Sequence, residues 1–100
     1  MRVKAIDRIR ALVRRGQYTL SQHLINHIAD NEFERDDIEV SILTGELVKS
    51  QRDERGTALD RRKHTVRGWT RCGLPFETIG KIIEGADGKE YFVITGYQCR

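Results

Sequence analysis

What this 100-residue sequence lacks narrows its chemistry before anything it contains. No stretch approaches the roughly 20 apolar residues that a membrane span needs. No uninterrupted apolar run follows the basic N-terminus, so no signal peptide is expected, and a cytoplasmic location with no membrane contact is. Only two cysteines are present, Cys72 and Cys99, with neither a CxxC pair nor a zinc-type spacing, so free thiols are expected. A single proline and 33% charged residues describe a soluble chain rather than a disordered or membrane-embedded one. There is no P-loop, no dinucleotide glycine fingerprint, no GxSxG elbow and no paired-carboxylate constellation. Walker-type nucleotide hydrolysis and serine-type hydrolysis therefore lose their supporting motifs, and nothing calls for a metal or a cofactor. Residues 1–100 make one domain, which at this length buries about two-thirds of its chain surface. Such a domain has one core, with room for a shallow cleft rather than a deep cofactor chamber.

What is present is a charge segregation that the net value of +3 conceals. Residues 1–16 carry six basic groups against Asp7, and residues 17–48 carry seven acids against Arg35. Residues 49–71 return to eight basic groups against three acids, and residues 72–100 are nearly balanced. Blocks of this kind serve either as solvated faces or as a surface for a polyanion. In the second case each phosphate contact releases counterions and adds affinity independent of sequence. That use requires the two basic blocks to lie together in space.

Hydrophobic periodicity predicts helices first and strands afterwards. Ala5, Ile6, Ile9, Leu12 and Val13 share one arc of a basic amphipathic helix over residues 3–15, which Gly16 ends. Ser21 can N-cap a second helix to about Asn31 that buries Leu24, Ile25, Ile28 and Ala29. A third is expected over 35–44, with Phe33 stapled onto Ile38, Asp36 and Asp37 in the first turn, and Gly45 after its end. Beyond Gly45 the period changes to two. Strands are expected at Glu46–Ser50, Thr65–Trp69, Pro75–Ile83 and Glu90–Gln98, with a hairpin at Asp87-Gly88. The expected fold is α+β: a helical part to residue 45 packed on a four-stranded antiparallel meander over 46–100.

Two short signatures carry the candidate chemistry. Tyr18-Thr19-Leu20-Ser21-Gln22-His23 puts a capping serine two residues before a histidine, and Val93-Ile94-Thr95-Gly96-Tyr97 ends an apolar strand with Thr95 and Tyr97 on one face. An imidazole, with its unperturbed pKa of about 6.5, suits proton transfer, so His23 is a candidate general acid or base. It could equally be a boundary histidine bonded to a backbone carbonyl. His27, four residues on, shares its side of the helix, and two histidines at this spacing begin a zinc site. The glutamate of HExxH is missing, however, and only distant His64 offers a third ligand. Arg61-Arg62-Lys63-His64 with Arg67 is the densest cationic run. On a strand, Lys63 and Arg67 share a face that could stabilise a phosphorane, or could protect an edge strand from aggregation. Trp69 reads as core or as a stacking platform, and Tyr97 as a group that stacks a base or donates a proton.

The ordered set Tyr18–His23, Phe33–Ile38, Leu43–Glu46, Val66–Trp69 and Ile94–Tyr97 resembles a family of small bacterial domains of unknown function. Members often sit beside YgiT-type zinc-finger antitoxins. The resemblance spans residues 18–97, about four-fifths of the chain. That family in turn resembles the RelE-like toxins, which pack a helical N-terminal part on a four-stranded antiparallel sheet. The resemblance implies a metal-independent ribonuclease toxin held in check by a cognate antitoxin. The family's helix histidine matches His23, its strand-end threonine and tyrosine match Thr95 and Tyr97, and its Gly-Trp element matches Gly68-Trp69. Where the family often has an arginine four residues after the histidine, this chain has His27, which lacks a permanent charge and a bidentate phosphate grip.

RNA cleavage by attack of a 2′-hydroxyl on the adjacent phosphate is the leading expectation. His23, Lys63, Arg67 and Tyr97 would carry the chemistry, while Thr95, Trp69, Arg62 and His27 would bind substrate. The alternative is a non-catalytic module of the same fold that binds nucleic acid or a protein partner.

Overall fold

The computed structural model describes residues 4–99. In chain order the elements are α1 (Ala5–Arg14), β1 (Tyr18–Leu20), α2 (Gln22–Ala29), α3 (Arg35–Thr44), β2 (Glu46–Arg52), β3 (Arg62–Trp69), β4 (Pro75–Gly85) and β5 (Gly88–Gln98). Val3, the first residue of the expected N-terminal helix, lies outside the described residues. Otherwise each expected helix and strand is present, with ends displaced by a few residues.

The fold is α+β, but four antiparallel strands are not the whole sheet. Its order is β1-β5-β4-β3-β2, five strands, with β2 to β5 forming the antiparallel meander. The fifth strand, β1, runs parallel to β5 and pairs Tyr18 with Tyr91, Thr19 with Phe92 and Leu20 with Val93. It is three residues long, too short for alternation to reveal it in the sequence. Two β-branched or aromatic residues in that triplet suit the pleated surface they join.

Alternation divides the sheet into two faces. Val66, Phe76, Tyr91 and Val93 point to the helices and meet Ile9, Leu12, Leu24, Ile38 and Ile42 in the core. Burial of each such side chain contributes about 1.5–3 kcal/mol. Helix α3 lies very close to the sheet because glycine stands opposite it: a Cβ at Gly68 would be 1.8 Å from the Ser41 carbonyl oxygen. Phe33 packs against the cluster that contains Ile38, and the Asp37 carboxylate accepts the Glu34 N–H at 2.9 Å at the start of α3. Helix α2 buries less than its pattern suggests. Leu24 is fully buried, but Ile25 is 46% exposed and Ala29 is also exposed. This helix sits beside β1 and β5 at one side of the sheet and has no second layer to cover its other flank.

None of the described helices lies over the opposite sheet face. Lys63, Thr65, Arg67 and Trp69 of β3 point there, since they alternate with buried Val66. Lys63 and Arg67 therefore lie on the sheet face away from basic α1, whereas Leu59 and Asp60 of the same sequence segment line a hollow with Arg8 and Arg15 of α1. None of the described helices is long and apolar enough to cross a membrane.

Candidate functional site

The parallel pairing of β1 brings the two signatures together. Strand β1 runs alongside β5 as far as Leu20–Val93, and the Ser21 N–H then donates to the Val93 carbonyl at 3.0 Å. The Ser21 hydroxyl does two things at once. It donates to the Ile94 carbonyl at 2.6 Å and accepts the Leu24 N–H at 3.2 Å, so it is both the N-cap of α2 and the weld of α2 to β5. Ile94 can take this bond because it is the extra residue of a bulge: Ile79 faces Thr95 and Gly80 faces Val93, leaving Ile94 unpaired with β4. His23, two residues past Ser21, is thereby held beside Thr95.

There a cleft of about 580 Å³ opens on the uncovered sheet face, and His23, Lys63 and Thr95 all line it. Phe92 and Ile94 supply apolar wall. A turn formed by Asp53, Glu54 and Arg55 closes one side. The deepest charge is Lys81, 5% exposed, in the middle of the apolar strand β4. Its ammonium contacts the Asp53 carboxylate at 3.3 Å, and Asp53 is equally buried. Burial pushes the Asp53 carboxyl up, but the Ala58 N–H, Lys81 and the Arg55 N–H outweigh it and hold the group below its ordinary value. The pair is thus ionised and mutually neutralised. With that pair cancelled, Lys63, Arg55 and Glu54 leave the cleft lining one positive charge in excess.

Two other expected groups lie beside this cleft rather than in it. Arg67, Glu77 and Tyr97 form one row across β3, β4 and β5. The Tyr97 hydroxyl donates to the Glu77 carboxylate at 3.2 Å. Partial burial and the Glu77 charge raise the Tyr97 phenol above its ordinary value, against the pull of Arg67. Its proton is therefore held, and the ring, 46% exposed, is the part presented to solvent. Trp69 is 54% exposed and shares a shallow hollow with Arg67 and Glu46, so it is a surface residue and not core.

Arg62 and His27 stand elsewhere. Arg62 shares the parity of His64, not of Lys63, and its guanidinium donates to the Ser50 hydroxyl and carbonyl at 3.0 Å each. His64 is buried between Asp60, at 2.9 Å, and Ser50, at 3.0 Å, so it is no third ligand for the helix pair. His27 contacts His23 through their Nε2 atoms at 3.2 Å and pairs with Glu32 through Nδ1. The described thiols, Cys72 and Cys99, are both free, and Cys99 Sγ donates to Glu77 at 3.3 Å.

Sequence reasoning missed the Asp53–Lys81 pair. A signal for it existed: a lone lysine inside Thr78-Ile79-Gly80-Lys81-Ile82-Ile83 is a charge on a central strand and needs a counter-ion. The stretch 51–63 reads only as a polar linker, and nothing in it marks Asp53 as that partner. Comparison with protein-family profiles, curated proteins and solved structures finds no match to this chain.

Proposed function

We propose that the open sheet face binds single-stranded RNA and that the cleft cleaves it without requiring a metal, in the manner of a type II toxin. The observation that carries the reading is the presence of His23, Lys63 and Thr95 along one solvent-open cleft, joined from α2, β3 and β5. The sequence resemblance to small domains related to RelE-like toxins supports it, as does an α+β fold whose helices pack on an antiparallel meander. On this reading the partner is a cognate antitoxin.

The chemistry needs three things: a base for the 2′-hydroxyl, positive charge for the phosphorane, and a grip on flanking nucleotides. His23 removes the 2′-proton as the oxygen attacks phosphorus. Lys63 stabilises the charge gathering on the non-bridging oxygens, and the Thr95 hydroxyl donates to one of them. The bond from phosphorus to the 5′-oxygen breaks, that oxygen takes a proton from water in the open cleft, and a 2′,3′-cyclic phosphate remains. Arg67, Trp69 and Tyr97 lie along the strand path, where a cation and two exposed rings hold phosphate and stack bases. Their position refines the expected roles of Arg67 and Tyr97 from chemistry to grip.

The binding-only alternative is favoured by the same displacement, because Arg67 and Tyr97 lie beside the cleft and the Tyr97 hydroxyl is spent on Glu77. Purified protein incubated with a labelled single-stranded RNA in EDTA separates the two. Cyclic phosphate ends that vanish in His23→Ala support the enzyme. Salt-sensitive binding with intact RNA, equal in wild type and His23→Ala, supports the module.

A further inference from the structure

We propose that His23 and His27 form a two-point binding site for a divalent first-row transition metal ion such as Zn²⁺. The inference stands on the histidine pair and does not rest on RNA cleavage. The two Nε2 atoms face each other at 3.2 Å, with the rings near-perpendicular at 85°. Two imidazole nitrogens bound at 2.0–2.1 Å to one tetrahedral ion stand roughly 3.3 Å apart. The helix therefore already holds the two ring nitrogens at chelating separation, and an ion enters between them once the proton they share in the metal-free pair has left.

Three neighbours fix the rest. Glu32 contacts His27 Nδ1, and a carboxylate can only accept, so the His27 proton is held on Nδ1, and its Nε2 lone pair, which accepts from His23 Nε2–H in the metal-free pair, can pass to a metal. A carboxylate on the far nitrogen is the arrangement that orients metal-bound histidines and raises their basicity. The His27 ring also stacks on Phe33 at 6.0 Å, and Phe33 stands edge-on to Phe76 in the core, so the ring is braced. His23 is exposed and keeps Nδ1 free to carry its proton when Nε2 binds. Among the described residues no three His, Cys, Asp or Glu side chains gather to enclose an ion. The remaining positions fall to water, which makes this an open site. Imidazole ligands select Zn²⁺, Ni²⁺ or Cu²⁺ over the oxygen-seeking Mg²⁺ and Ca²⁺. An ion seated on His23 Nε2 holds the ring proton on Nδ1 and leaves no nitrogen free as a base, so on the ribonuclease reading it silences cleavage.

The test is titration of untagged protein with ZnCl₂, followed by calorimetry and by ¹H–¹⁵N spectra of the imidazole rings. One Zn²⁺ per chain should bind, moving the Nε2 signals of His23 and His27 together and leaving those of His64 in place. His23→Gln, at an exposed position, should keep the wild-type melting temperature and weaken Zn²⁺ binding at least tenfold. Glu32→Gln should weaken it roughly tenfold while both histidines remain. Mg²⁺ in large excess should shift neither ring. The proposal is overturned if no saturable Zn²⁺ binding is seen, if Zn²⁺ moves only one of the two rings, or if His23→Gln binds as tightly as wild type. None of these readouts involves RNA, so failure here leaves the cleavage reading standing.

Discussion

Replacing Ser21 with alanine should destabilise the chain by about 2 kcal/mol. The hydroxyl makes two bonds that alanine cannot: it accepts the Leu24 N–H at 3.2 Å and donates to the Ile94 carbonyl at 2.6 Å. Loss of a serine N-cap costs about 1 kcal/mol. Loss of a donor to a part-buried carbonyl costs about 1 kcal/mol more. For a domain of this size the sum corresponds to a fall in Tm of roughly 8–16 °C. Threonine should restore both bonds and most of the stability. Aspartate caps a helix well but cannot donate to Ile94, so it should recover less than threonine. Urea unfolding of the four proteins, followed by circular dichroism, would give the differences directly, with the slope m expected to be unchanged. A loss below about 0.5 kcal/mol in Ser21→Ala would refute the claim that this hydroxyl joins α2 to the β5 bulge and so positions His23.

Further outcomes follow from the same packing. Gly68→Ala should be destabilised at or above the usual overpacking range of about 1–3 kcal/mol, since its Cβ meets the backbone of Ser41 and Gly45, which cannot rotate away; wild-type stability in a urea melt would contradict the close approach of α3. Tyr91→Phe should be neutral or stabilising, because the buried Tyr91 hydroxyl has no hydrogen-bond partner and burial raises its pKa above the ordinary phenol value; a clear drop in Tm would reveal a partner. The Asp53 carboxyl is depressed in the folded state, so its contribution is present at neutral pH and is lost as pH falls below about 4 toward its folded value. Urea melts of wild type and Asp53→Asn at pH 7, 5 and 3 should therefore differ equally at the first two and by less at the third; a gap that already shrinks by pH 5 would sink this assignment.

Most of the fold was legible because the chain is patterned strongly where it packs. The apolar arc of α1, the staple and first-turn acids of α3, and the alternation of β3 to β5 each state their own element. Strand β1 was hidden by its length, and with it the parallel pairing that joins the two signatures. For the candidate site, parity on β3 correctly set Lys63 and Arg67 apart from His64 and Val66. The same parity places Arg62 with His64, away from the cleft, a distinction that vanishes when Arg61–His64 is treated as one cationic block. Trp69 could not be assigned from sequence, as its exposure depends on the absence of any helix over that sheet face. The Asp53–Lys81 pair joins residues 28 apart through a turn whose shape comes from backbone N–H groups meeting a carboxylate, and no periodicity reports that.

The central claim is that the cleft holding His23, Lys63 and Thr95 performs proton transfer on RNA. Single-turnover cleavage of a single-stranded RNA in EDTA, with the ends of the products identified, tests it most directly. The account predicts 2′,3′-cyclic phosphate and 5′-hydroxyl ends, with the rate falling 10²–10⁴-fold in His23→Ala while RNA affinity is retained. Cleavage that persists undiminished in His23→Ala, or RNA left whole by folded wild-type protein across the neutral pH range, would contradict it.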